Sequence, residues 1–175
     1  RYLFPYTTYH YNSGGDPEHI PDLTYEGLRE FYRTHYHPSN AVFMSYGDIA
    51  VPELHERFES RALARFEALA VHIAVPDEKR YAAPVAVEAY YAWEEEGDPG
   101  EKSHVVLGWL LGKSTSLEDL LKAHLLNGIL LDNSASPLQQ ALETTELGSA
   151  PSPLCGLEDS NREIVFSCGL EGSEG

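Results

Sequence analysis

The sequence predicts an α+β domain: an antiparallel-rich sheet with helices packed on one side. Three observations carry that prediction. Strand-like segments lie at 85–95, 103–111 and 162–170, two segments with helix-start signals separate the second from the third, and 42% of the 175 residues are hydrophobic. A chain of this size buries enough surface to fold without disulfide or metal staples.

The elements follow in order. Residues 1–23 hold Tyr2, Tyr6, Tyr9 and Tyr11 and then the turn formers Asn12 to Pro17, an extended aromatic segment packed on its surroundings and followed by a loop. Thr24 is a good N-cap for a helix to about Tyr36, where His37-Pro38 stops it; Leu28, Phe31, Tyr32 and His35 share one stripe. Ala41 to Gly47 alternates and predicts a strand. Pro52 opens a second helix with Leu54, Phe58, Ala62 and Phe66 on one face. Residues 74–84 contain Pro76, Pro84 and the run Asp77-Glu78-Lys79-Arg80, which predicts a linker and a domain boundary. Val85 to Glu95 and Ser103 to Leu111, around Gly97-Asp98-Pro99-Gly100, predict an antiparallel hairpin. A capping box at Thr115 to Glu118 starts a helix reaching about Asp132. Ser136-Pro137-Leu138-Gln139 starts another, with Gly148 as its C′ residue. Arg162 to Leu170 is the last strand, so the predicted order is strand, strand, helix, helix, strand.

Twelve Lys+Arg stand against 28 Asp+Glu, a formal net charge of -16. Such a surface repels phosphate backbones and anionic lipid, so neither nucleic acid nor membrane is an expected partner. Cys155 and Cys168, thirteen residues apart, make no CxxC pair. Sparse cysteine predicts an intracellular, reducing compartment such as a bacterial cytoplasm or an organelle matrix.

Local motifs offer little chemistry. Gly108-Trp109-Leu110-Leu111-Gly112-Lys113-Ser114 sits where a phosphate-binding loop would, yet has three bulky residues between its glycines instead of four. His35 and His37 point in different directions at a helix end, and His35 continues an apolar stripe. His124 shares the Leu117, Leu120, Leu121 face, a core or rim position. His55 and Glu59 have the i, i+4 spacing of helical zinc ligands but lack a second histidine and a third ligand. There is no GxSxG elbow. No catalytic or metal-binding residue is expected in this chain, and substrate-binding residues are left unassigned.

Three blocks then stand out as a set: Asn12-Ser13-Gly14-Gly15-Asp16-Pro17 with Ile20 to Glu26, Tyr36-His37-Pro38-Ser39-Asn40, and Tyr46-Gly47-Asp48. They resemble, in order, the presequence-protease branch of the pitrilysin/insulinase zinc metallopeptidases. Glu101-Lys102-Ser103, Leu130-Leu131-Asp132, Ser136-Pro137-Leu138 and Gly169-Leu170-Glu171-Gly172 resemble the following domain of the same proteins. The resemblance covers nearly the whole chain.

The resemblance implies repeated α/β modules arranged as two halves around a closed chamber. Residues 1–50 would be the C-terminal part of a first, catalytic-type module, 51–84 a helix and linker, and 85–175 the N-terminal part of a second, non-catalytic module. The family holds zinc through an inverted HxxEH helix and a distant glutamate, the motif's own Glu activating water. HxxEH does not occur here, so the implied zinc of the parent protein would have its ligands outside this chain. With Arg1 first and a strand-like run last, both ends are expected to be internal to a longer protein. The expected function is that of a non-catalytic scaffold segment of a zinc metalloendopeptidase degrading short unfolded peptides, with the other modules of its own chain as partners. The alternative is a catalytically inactive relative acting as a structural or partner-binding subunit; a nucleotide binder resting on Lys113 and Ser114 is a third reading. An isolated segment is expected to self-associate through the orphan strand at 41–47, or to re-pair that strand with the second module.

Overall fold

The computed structural model describes residues 1–70, 73–92, 100 and 102–173. They form two compact units, Ser13–Ala74 and a second made of Arg1–Asn12 with Val75–Gly175.

Ser13–Ala74 is helical. The Thr24 hydroxyl accepts from the Gly27 N–H at 3.1 Å and opens α1 (Tyr25–His35), as the sequence predicts. Helix α2 (Val51–Arg61) begins with Pro52 in its first turn and ends at Arg61, earlier than the apolar spacing suggests. Ala62 breaks the pattern, Leu63–Arg65 forms a 3-10 turn, and Phe66 is extended. Side chains pack here mostly by ring contacts: Phe31 stacks on His35 at 4.0 Å between centroids, and Phe43 meets Phe58 at 5.2 Å. Neither helix buries a residue fully, so the Leu28, Phe31, Tyr32 stripe is present but uncovered. The strand expected at Ala41 to Gly47 is not formed. That stretch stands unpaired, with Val42, Met44 and Tyr46 almost fully exposed. A period-two pattern makes a strand only when another edge supplies hydrogen bonds, and none reaches it among the described residues.

The second unit holds the sheet. β1 (Ser103–Lys113) and β4 (Glu163–Ser173) form a long antiparallel pair, β2 (Ala150–Pro151) pairs the far edge of β4, and β3 (Gly156–Glu158) pairs β4 beyond it. Helices α3 (Leu117–Leu131) and α4 (Pro137–Thr144) pack on this sheet. The class is therefore α+β with an antiparallel sheet, as predicted. Phe4, Ala123, Ile164, Phe166 and Cys168 form its core. One glycine is sterically required: a Cβ on Gly169 would lie 2.1 Å from the Val105 carbonyl oxygen and 2.8 Å from the Val106 Cα, both backbone atoms of β1.

Several details differ from expectation. Residues 85–92 form no strand, so the hairpin with 103–111 is absent among the described residues; β1 pairs β4 instead. The remainder of that predicted strand and most of its turn, 93–99, lie outside the described residues. The cap of α3 is Ser116, which accepts from Asp119 N–H, one position past the expected Thr115. Helix α4 ends at Thr144, so Gly148 is not its C′ residue. Gly148 instead approaches β4, where a Cβ would meet the Glu171 carbonyl oxygen at 2.9 Å. The observed order is strand, two helices, then three strands.

Candidate functional site

The densest polar constellation is the run 77–80, which the sequence presents as a solvated linker. It is a clasp. Glu78 is only 5% exposed. Its Oε2 accepts from the Thr7 N–H at 2.9 Å and the Tyr6 N–H at 3.3 Å, and its Oε1 accepts from the Lys79 N–H at 2.7 Å. The Glu78 N–H in turn donates to Oε2 of buried Glu163 at 2.7 Å, while Arg80 Nη2 donates to Glu163 Oε1 at 2.7 Å and also to the Leu111 carbonyl. Asp77 holds Lys113 Nζ at 2.6 Å and Arg162 Nε at 2.7 Å. The Arg162 N–H donates to Tyr9 Oη at 2.9 Å, and Tyr81 Oη donates to the Tyr2 carbonyl at 3.0 Å. The N-terminal strip, residues 77–81 and the adjoining ends of β1 and β4 are thereby tied together.

The electrostatics match. The Lys113 ammonium and Arg162 guanidinium hydrogen-bonded to Asp77 hold its carboxyl below the ordinary range. Burial pushes Glu78 upward, but the amides of Thr7, Lys79 and Tyr6 outweigh it, and the net shift is downward. Both carboxylates are charged and spent on fixed donors. A general base needs a free lone pair aimed at a substrate, and a nucleophile needs an adjacent base; this arrangement offers neither. It is built to hold structure.

One of the sequence candidates, Lys113, belongs to the clasp itself. Gly108 to Lys113 runs extended along β1, with Lys113 committed to Asp77 and the Ser114 N–H donating to the Arg162 carbonyl at 3.0 Å. No loop curls there to cradle phosphate. His35 Nδ1 lies 2.9 Å from the Phe31 carbonyl, and His37 Nδ1 accepts from the Ser39 N–H at 3.2 Å. A hollow of about 350 Å³ beside them is lined by His35, Tyr36, His37, Phe43 and Phe66. His55 and Glu59 are exposed on α2. His124 is a rim residue, its Nε2 2.8 Å from Asp159 Oδ2. Among the described residues no three His, Cys, Asp or Glu side chains converge on one point. The donors present do not fit a zinc site of three protein ligands.

Sequence reasoning missed Glu78 and Glu163. The available signal was charge placement: Lys113 ends an apolar strand and Arg162-Glu163 begins the last one, so both strand ends carry charge matching the run at 77–80.

Residues 22–172 match the family model described as the peptidase M16 inactive domain. The mitochondrial presequence protease of Xenopus tropicalis is 36% identical over 172 residues, 97% of this chain and 17% of that protein. The mouse mitochondrial presequence protease is 34% identical over 171 residues, 97% of this chain and 16% of its own length. Presequence protease 1 of Arabidopsis thaliana, chloroplastic/mitochondrial, is 36% identical over 173 residues, again 97% against 16%. The chain thus spans about one sixth of the length of the curated relatives it matches. On this evidence it belongs to the M16, pitrilysin/insulinase-type peptidase family, on the presequence-protease branch.

Proposed function

We propose that the chain serves as non-catalytic scaffold within a longer zinc-dependent endopeptidase that degrades short unfolded peptides in a closed chamber. The observation that carries the proposal is the match itself: 97% of the chain aligns with a stretch of a presequence protease, and the matched family model is the inactive domain. The clasp supports it, since Asp77, Glu78 and Glu163 are committed to tying chain segments together. The module division at residues 50 and 84 belongs to the same proposal, as do peptide substrates and the rest of its own chain as partners; the net charge of -16 disfavours nucleic acid and anionic membrane. Relatives named mitochondrial or chloroplastic support an organelle matrix as the place of action.

The test uses the full-length protein encoded by the parent gene. It is expected to cleave unstructured peptides, to lose that activity to a chelator and to regain it with zinc, while residues 1–175 alone cleave nothing. Cleavage that a chelator leaves untouched, or a full-length protein without peptidase activity, overturns the proposal.

A further inference from the structure

The two cysteines, uninformative by spacing, are brought together by strand register. β3 pairs β4 with Gly156 opposite Ser167 and Leu157 opposite Phe166. One step further along the same antiparallel count, Cys155, the residue just before β3, comes level with Cys168. The Cys155 N–H donates to the Ser152 carbonyl at 3.0 Å, closing the turn that leads into β3. Cys155 Sγ also sits 3.2 Å from the amide nitrogen and 3.5 Å from the carbonyl oxygen of Gly169, the residue bonded to Cys168. Both thiols are free; Cys155 is half-buried and Cys168 buried.

We propose that Cys155 and Cys168 form a peroxide-sensitive dithiol that closes to a cross-strand disulfide. Cys155, the accessible sulfur, is attacked first. Its thiolate takes one oxygen of hydrogen peroxide, forming an S–O bond as the O–O bond breaks, and the departing hydroxide collects the thiol proton to leave as water. Cys168 sulfur then attacks the sulfenic sulfur. The S–S bond forms, the S–O bond breaks, and the second water carries away the Cys168 proton. Two thiols lose two electrons, and one peroxide becomes two waters. Burial and the neighbouring Cys155 push the Cys168 thiol up, which suits it to the second step instead of the first. The bridge would fasten the 152–156 turn to β4 at the seam between β2 and β3.

Peroxide treatment of the purified chain, followed by thiol titration in denaturant and peptide mass spectrometry, tests this. Loss of both thiols with a single Cys155–Cys168 linked peptide, lighter by two hydrogens and restored by dithiothreitol, is expected. Linkage should form at least about tenfold faster in the folded chain than in urea, since only the fold fixes the pair. In Cys168→Ser, Cys155 should stop at a sulfenic acid that dimedone traps; in Cys155→Ser, Cys168 should stay unreacted. Intermolecular linkage only, equal rates folded and unfolded, or two titratable thiols after treatment would each overturn the proposal.

Discussion

Glu78 shows how much one carboxylate can hold. It satisfies the N–H groups of Tyr6 and Thr7, more than seventy residues away in sequence. Removing an acceptor from buried donors costs the full desolvation of those donors, whereas a conservative swap keeps one oxygen in place. Glu78→Ala is therefore expected to lower stability by about 1–3 kcal/mol in urea denaturation, with Glu78→Gln losing less. A matching loss in both variants would mean that the charge, and not the acceptor oxygen Gln retains, carries the stabilisation. The same carboxylates set a pH dependence. Asp77 and Glu78 lie below their ordinary values of 3.8 and 4.5 in the folded state, so the unfolded chain binds protons that the folded chain refuses. Their stabilisation is complete above those ordinary values and drains away as pH falls through the folded ones. The urea midpoint should hold steady down to about pH 5 and then drop, and the drop should be shallower when both Asp77→Asn and Glu78→Gln are present.

Elements divide into those whose determinants are local and those whose partners are distant. Helices α1, α3 and α4 and strands β1 and β4 are legible because caps and apolar periodicity sit within them: Thr24, Pro137, the run from Val105 to Leu111. What misleads is pairing. The stretches 41–47 and 85–92 alternate as strands do, yet a strand exists only with an edge to join, and that edge is a property of the rest of the fold. The buried clasp escaped notice for the same reason, since Asp77 to Arg80 have no local mark separating solvated charge from paired charge. Glycines test element packing directly. Gly169→Ala must push β1 off β4, because the obstructing atoms are backbone; loss of the cooperative thermal transition is expected. Gly128 lies within α3 with open space around its Cβ position, so Gly128→Ala should raise stability by about 0.5–1 kcal/mol. Circular dichroism melts of the two variants should move in opposite directions.

The whole molecule exposes much apolar surface. Leu117, Leu121, Leu125 and Ile129 recur every four residues along α3, each more than half exposed. Contiguous exposed apolar surface drives association in water. The isolated chain is expected to self-associate with rising concentration in light scattering, and Leu121→Glu combined with Leu125→Glu to reduce it; a concentration-independent monomer would count against this. A different consequence follows from the clasp. Residues 1–12 complete a unit whose other parts begin at residue 75 and run to the end of β4. On the ribosome residues 1–12 emerge before residues 75–173, so their docking surface is finished only once β4 has been made. The aromatic strip must wait without its partners until β4 has followed, and any premature engagement would have to be undone before the sheet could close.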